Sequence, residues 1–157
     1  MNAQIPETPH ADPPIRLLAK FGQAFPASSP QLIMQAPGRE MWAAASFNGS
    51  ANVTVCTADG DGITTFNYQS AKLKQTVHRR PLPNWARYIA GVSVLLDVPE
   101  MPGINVAVCG DEPSGPRYDH SLAILFAALW YEINMTEGDP DALLEIAERV
   151  RREYIES

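Results

Sequence analysis

Residues 103–134 decide the fold, and their sequence is GINVAVCGDEPSGPRYDHSLAILFAALWYEIN. The apolar residues 104–109 predict a buried strand, residues 110–120 predict a loop, and the almost wholly apolar residues 121–133 predict a buried helix. A loop that enters a helix presents unpaired backbone N–H groups and the positive end of the helix dipole, which many proteins use to hold a phosphate. The first question about this chain is therefore whether the loop is a phosphate site.

The side chains of this loop argue against a phosphate. Pro116 and Tyr118, which follow Gly115, remove a backbone donor and add bulk where a phosphate needs close access to the backbone. Asp119 can cap the free N–H groups at the helix start, and its negative charge repels a phosphate. We therefore predict a self-capped helix with Asp119 as its N-cap, and an anion site is the alternative.

The size and charge of the chain exclude several classes of function. A chain of 157 residues is long enough for one domain with a sizeable core. Its net charge of -6 and its pI near 5.0 provide no basic field for nucleic acid. No apolar run reaches the roughly 18 residues of a membrane-spanning helix, and the N-terminus lacks the pattern of a secretory signal. We expect a soluble, cytoplasmic protein that binds neither nucleic acid nor membrane.

The cysteines and histidines predict no metal site. Cys56 and Cys109 lie in strand-like apolar runs, where a buried, reduced thiol is the usual state. The histidines, His10, His78 and His120, are scattered and do not form a metal-binding spacing with the cysteines. Metal analysis that finds one zinc ion per chain would contradict this prediction.

Periodicity and turn residues predict the remaining elements. Residues 1–14 are rich in proline and predict a mobile tail, and residues 15–157 predict a single domain. Asn84 is the predicted N-cap of one helix, and Asp139, followed by Pro140, is that of the last helix. The full set comprises a helix over 15–25, strands at 31–36 and 41–47, a hairpin over 51–68 that turns at 59–62, a loop at 72–83, and helices from 84 towards 99 and from 139 to 154. These elements predict an α+β fold in which a mixed, mostly antiparallel sheet is covered by helices.

Three stretches of the chain follow one another in an order and spacing that resemble those of a known family. The first is a helix that leads to Phe25, followed by a strand that ends in Ala-Pro-Gly-Arg at residues 36–39. The second is Trp-Ala-Arg-Tyr-Ile-Ala-Gly-Val at residues 85–92, and the third is residues 103–122 together with a last helix that carries Ala-Glu and a tyrosine. In this order and spacing they resemble the N-terminal domain of the GHMP kinases, and galactokinases most closely.

The resemblance covers roughly residues 15–155 and implies both a fold and an activity. The implied fold is the ribosomal-protein-like first domain of that family, with a left-handed βαβ unit that is an exception to the usual crossover handedness. The implied activity is ATP-dependent transfer of a phosphoryl group to a sugar or small alcohol. A second domain completes the site in the family, and the catalytic aspartate and a third glycine motif lie beyond the stretch that this chain matches.

The active-site residues of the family match this sequence only in part. Arg39 matches the Ala-Pro-Gly-Arg motif, so the resemblance implies that its guanidinium stabilises phosphoryl charge, and a structural ion pair is the simpler interpretation. The sugar-binding signature that follows this motif in galactokinases is replaced by residues 41–47, which include a run of alanines. Alanine side chains cannot orient a sugar.

The nucleotide loop is also altered. Pro113, Gly115 and Ser121 match the loop of the family. Arg117 stands where the family has its second glycine, and Asp119 and His120 stand where it has serines. The resemblance therefore implies a nucleotide loop made of Pro113, Gly115, Arg117, Asp119, His120 and Ser121, with most of its phosphate-binding groups replaced.

Two hypotheses of function follow. The leading one is that the fold is kept and kinase chemistry is lost, so that the chain acts in binding or assembly, with self-association to cover an exposed apolar face. The alternative is the ATP-binding half of a split sugar kinase, which a separate C-terminal chain completes. In that case Arg117 and His120 contact the phosphates of Mg-ATP, and Mg²⁺ bridges Asp119. A hydrolytic site at residues 119–121 is disfavoured, because neighbouring residues on a helix point in different directions.

Overall fold

The computed structural model of the chain describes residues 13–96, 102–134 and 139–156. Most of the predicted N-terminal tail, residues 1–12, and the predicted helix end near residue 99 lie outside this part of the chain. The elements in chain order are α1 Ile15–Ala24, β1 Leu32–Gln35, β2 Met41–Phe47, β3 Val53–Thr57, β4 Ile63–Phe66, α2 Tyr68–Lys72, α3 Asn84–Leu95, β5 Ile104–Gly110, α4 Pro116–Ile133 and α5 Pro140–Arg149, which a π-helical segment, Val150–Ile155, continues.

The strands form a five-stranded mixed sheet in the order β1-β2-β5-β3-β4. Strand β5 is central, antiparallel to β2 and parallel to β3, and the two outer pairs, β1–β2 and β3–β4, are antiparallel. The tight turn after β3, where the Thr57 N–H donates to the Gly62 carbonyl at 3.1 Å, makes β4 its antiparallel neighbour. Parallel strands need a crossover, and α2 with α3 provides it between β4 and β5. The predicted mixed, mostly antiparallel sheet is confirmed.

Each face of the sheet is covered by a different set of helices. The larger core lies between one face and α3, α4 and α5, and the indole N–H of the fully buried Trp130 donates to Ser93 Oγ at 2.9 Å within it. On the opposite face, Leu17 and Phe21 of α1 pack on a second cluster that contains Trp42. The alternation of the strands therefore directs apolar side chains to both faces.

Both cysteines belong to the cluster beneath α1. Cys56 on β3 and Cys109 on β5 are fully buried and free, so the predicted buried thiols are confirmed. Burial raises the pKa of the Cys109 thiol to about 11, because the thiolate loses hydration. Both groups are therefore neutral side chains of the core.

Two predicted details near the edge strand β4 are wrong. The strand ends at Phe66, and Asn67 instead caps the short helix α2, with its Oδ1 accepting a hydrogen bond from the Ser70 N–H at 2.8 Å. Asn84 does not cap α3, because it is the first helical residue and Pro83 occupies the N-cap position without a side-chain hydrogen bond. At α5 the prediction is confirmed, since Asp139 Oδ1 accepts a hydrogen bond from the Ala142 N–H at 2.8 Å.

Candidate functional site

The loop from β5 to α4 enters its helix differently from the prediction. Helix α4 begins at Pro116, and Gly115 is its N-cap, with φ 105° and ψ -150°. Few side chains tolerate this conformation, and proline suits the first helical position because the N–H that it lacks has no partner there. The predicted N-cap, Asp119, lies inside the first turn, where its own N–H donates to the Gly115 carbonyl at 3.0 Å. The predicted self-capped start is therefore wrong, and the N-cap residue Gly115 has no side chain that could cap α4.

Asp119 still places a negative charge at the helix start. Its side chain is half-buried, and this burial raises the pKa of the carboxyl group because the charged form loses hydration. A carboxylate in the first turn interacts favourably with the helix dipole. The charge therefore lies near the uncapped N–H groups without bonding them as an N-cap does.

A nearly buried carboxylate ties the loop to the Ala-Pro-Gly-Arg turn. The Glu112 side chain is 6% exposed, and its two oxygens accept hydrogen bonds from the Glu40 N–H at 2.7 Å and from Arg117 Nε at 3.1 Å. The Asp111 N–H donates to the Glu40 carbonyl at 2.8 Å beside it. The loop thus supplies its own anion to a backbone N–H and to the arginine on the first turn of α4.

On its other side, the loop is held by Asp59 from the turn after β3. Asp59 Oδ2 accepts hydrogen bonds from the Gly110 N–H at 2.7 Å and from the Tyr118 hydroxyl at 2.6 Å. Arg16 of α1 donates to Asp59 Oδ1 at 3.2 Å and to Asp111 Oδ1 at 2.9 Å. Burial and the hydrogen bond to Asp59 raise the pKa of Tyr118, so its hydroxyl stays a donor. The start of α4 is therefore fixed by residues distant in sequence.

Arg39 lies on the turn after β1, next to Gly38 with φ 67°. Among the described residues, the Arg39 guanidinium has no ion-pair partner. The structural ion pair, which is the simpler interpretation of this arginine, therefore does not form among them. Burial of the His120 ring, together with the positive charge of Arg39, lowers the pKa of His120. Arg39 and Arg117 line the same cleft, of about 390 Å³, with apolar residues of α5.

The remaining predicted residues are spread between surface and core. Pro113 and Gly115 are exposed, and His120 is half-buried. Ser121 is fully buried on α4, and its Oγ has no hydrogen-bond partner within the described residues. Because a substrate cannot reach a fully buried hydroxyl, Ser121 is not placed to act as the nucleophile of a hydrolytic site.

Sequence patterns do not indicate two of the residues that organise this site. Glu112 bonds to a residue 72 positions away, and Asp59 bonds to partners 43 to 59 positions away. In the sequence, each is a charged residue in a turn or loop. Around Asp59, an acidic cleft of about 690 Å³ lies between the β3–β4 turn and the start of α4, with the Trp85 and Tyr118 rings in its wall.

Two further findings concern metal ligands and membrane crossing. Within residues 13–96, 102–134 and 139–156, no three histidine, cysteine, aspartate or glutamate side chains are placed to hold a metal ion together. No helix in this part of the chain combines the length and the apolar character that a membrane crossing requires.

Sequence-based comparisons give no relative for this chain. No protein-family model matches it. A search of curated proteins likewise finds no match.

Solved structures, in contrast, share its fold. A galactokinase from Lactococcus lactis in complex with galactose superimposes with a TM-score of 0.69 at 13% sequence identity, over 90% of this chain and 42% of that enzyme. A mevalonate kinase from Methanococcus jannaschii gives a TM-score of 0.52 at 12% identity, over 72% of this chain and 36% of that enzyme. A further mevalonate kinase gives a TM-score of 0.52 at 10% sequence identity, over 74% of this chain and 38% of that enzyme. The chain spans less than half the length of these enzymes, and its fold is similar to that of the GHMP kinase N-terminal domain.

Proposed function

We propose that residues 15–157 act as one galactokinase-like domain that has lost kinase activity and acts in binding or assembly. The observation that carries this proposal is the position of the Glu112 carboxylate. It already bonds the Glu40 N–H and the Arg117 guanidinium, which are the kinds of group that hold a phosphate. A nucleotide phosphate would have to displace a side chain that is only 6% exposed.

The charge around the loop supports the same conclusion. Four carboxylates, Asp59, Asp111, Glu112 and Asp119, surround the start of α4, and the arginines bonded to them are Arg16 and Arg117. Two like charges 4 Å apart repel each other by about 4 kcal/mol near a protein surface. A triphosphate without a metal ion is therefore strongly disfavoured at this loop.

The strand that replaces the sugar-binding signature offers little to a sugar. All residues of β2 from Met41 to Ser46 are buried in the sheet, and their run contains three alanines. Alanine side chains carry no hydrogen-bonding group, whereas sugar recognition depends on placed polar groups. The two parts that select nucleotide and sugar are thus altered together.

Calorimetry with ATP, with and without Mg²⁺, tests this proposal. We expect no binding by the wild type, and no ADP formation when galactose and Mg-ATP are present. Glu112→Gln and Asp119→Ser each remove one negative charge from the loop, and Glu132→Gln, an exposed carboxylate on the same helix, is the matched control. Phosphorylation of galactose by the wild type contradicts the proposal. Binding that appears only in the loop variants identifies the carboxylates as the groups that close the site.

The alternative, the ATP-binding half of a split sugar kinase, is favoured by one observation. Arg39 and Arg117 line one cleft beside a helix start whose N-cap is a glycine. Both cations can approach a phosphate if Mg²⁺ bridges Asp119. Wild-type binding of ATP that requires Mg²⁺ supports this alternative, in which a separate C-terminal chain supplies the missing catalytic groups.

Self-association is the form of assembly that we propose. The edge strands β1 and β4 expose the large apolar side chains of Ile33 and Ile63, which are 42% and 57% exposed. Edge strands with apolar side chains are sites of pairing between chains. Light scattering should give a mass above that of one chain at high concentration, and a strict monomer contradicts this part of the proposal.

The proposed compartment is the cytoplasm, which the free, buried thiols of Cys56 and Cys109 support.

A further inference from the structure

One surface segment has the opposite charge to the whole chain. The chain has a net charge of -6, yet residues 62–96 contain no aspartate or glutamate. The same residues contain five basic side chains, Lys72, Lys74, Arg79, Arg80 and Arg87. Four of these lie on residues 72–81, which run from the last residue of α2 into the connection to α3 and which we call the basic hairpin. Such a concentration of one sign creates a local positive field in an acidic protein.

The basic hairpin has a built structure. Gln75 pairs with Pro81, and the Thr76 N–H donates to the Arg80 carbonyl at 2.7 Å. Thr76 Oγ1 accepts hydrogen bonds from the N–H groups of His78 and Arg80, both at 3.2 Å. These bonds hold the tip in one shape, so its side chains project from a defined backbone.

The tip also contains a strained residue. Arg79 has φ 64°, in the left-handed region that bulky residues rarely occupy, and its N–H donates to the Thr76 carbonyl at 3.0 Å. Glycine would adopt this conformation at no cost. This arginine therefore occupies a position where its backbone conformation is unfavourable.

The side chains of the tip are available to a partner. His78, Arg79 and Arg80 are exposed, and neither arginine has an ion-pair partner in the described part of the chain. Leu73, at the base of the hairpin, is 69% exposed. The surface thus combines unpaired guanidinium groups with an uncovered apolar side chain.

We propose that the basic hairpin binds an acidic segment of a partner protein, in which carboxylates pair with Arg79 and Arg80 and an apolar side chain covers Leu73. Guanidinium and carboxylate groups form paired hydrogen bonds. The net charge of -6 repels extended polyanions such as nucleic acid or an anionic membrane. Because salt screens charges beyond about 8 Å under physiological conditions, a short acidic segment interacts with the hairpin and little with the rest of the chain.

Fluorescence anisotropy with a labelled peptide of alternating glutamate and leucine tests this proposal. We expect saturable binding to the full chain, and no binding of the same peptide with glutamine in place of glutamate. Arg79→Gly is the decisive variant, because it removes the charge and relieves the backbone strain. It should weaken binding about tenfold, the loss of one charged hydrogen-bonded pair, while the melting temperature stays at or above that of the wild type.

Further variants and competing ligands test whether binding is specific to the basic hairpin. Leu73→Ser should weaken binding by a smaller factor, and Arg152→Gln, an exposed arginine outside the hairpin, should leave it unchanged. Equal binding by wild type and Arg79→Gly overturns the proposal. Tighter binding to single-stranded DNA or to phosphatidylserine vesicles also overturns it, and so does self-association of the chain that Arg79→Gly abolishes. Glu112→Gln should not change the affinity for the peptide. The hairpin proposal can therefore fail or hold independently of the proposal that kinase activity is lost.

Discussion

Helices α4 and α5 both begin with proline, but their starts differ in what satisfies the backbone. At α5, Asp139 directly precedes Pro140 and its side chain accepts a hydrogen bond from the Ala142 N–H at 2.8 Å. At α4, the residue before Pro116 is Gly115, which has no side chain to accept such a bond. The first start is closed by the residue that precedes it, whereas the second is held through side chains: Tyr118 donates to the distant Asp59, and Arg117 donates to Glu112 of the preceding loop. Tertiary contacts, and not local sequence, can therefore decide whether a helix start is available to a ligand.

The largest expected effect comes from removing the distant carboxylate that holds α4. In Asp59→Ala, the Gly110 N–H, the Tyr118 hydroxyl and Arg16 all lose an acceptor. We expect the free energy of unfolding to fall by about 2 to 3 kcal/mol, the cost of leaving such groups unsatisfied. Denaturant titration measures it. Asp61→Ala, an exposed neighbour in the same turn, is the control and should change stability by less than about 0.5 kcal/mol.

A smaller effect is expected at the N-cap of α4. Gly115→Ala places a side chain at φ 105°, which should lower the free energy of unfolding by about 1 to 2 kcal/mol. Gly60→Ala is the matched control, because Gly60 lies outside the left-handed region and a Cβ there meets only Thr57 Cγ2 at 4.0 Å. Equal stability of both variants would show that the start of α4 adopts another conformation in solution.

The two helix starts can also be compared directly. Asp139→Ala should cost about 1 kcal/mol, the usual worth of an N-cap. Asp119→Ala should cost clearly less, because Asp119 does not occupy the N-cap position. In addition, its carboxylate is half-buried, so the wild type already loses part of the hydration of this charge. Thermal unfolding of the two variants measures the difference. A larger loss for Asp119→Ala would restore the capped start that the sequence predicts.

The smallest effect is a dependence of stability on pH at Asp119. Burial raises the pKa of this carboxyl group above its ordinary value of 3.8, so the folded state binds the proton more tightly than the unfolded state. Above that ordinary value, as pH rises through the raised pKa, the wild type should lose stability relative to Asp119→Asn. Unfolding of both proteins between pH 3 and pH 7 tests this expectation. A difference that is constant with pH contradicts it.

Where the information was local, the sequence predicted the structure well. The β3–β4 hairpin follows from alternating residues around a glycine-rich turn, and Asp139-Pro140 gives the start of α5 correctly. The first residue of α4 was misplaced because Asp119 is a good capping residue, while Gly115-Pro116 is an equally valid start. Short-range preferences of similar strength cannot choose between such alternatives.

The sequence by itself determined the α+β class, most of the elements and the two buried thiols, because periodicity and turn chemistry act between neighbouring residues. Only the tertiary structure decided that Glu112 and Asp59 organise the candidate site, and that Arg39 and Arg117 share a cleft. Hydrogen bonds to Glu112 and Asp59 join residues up to 72 positions apart. Such contacts form only after the sheet order brings the loops together, so no local pattern records them.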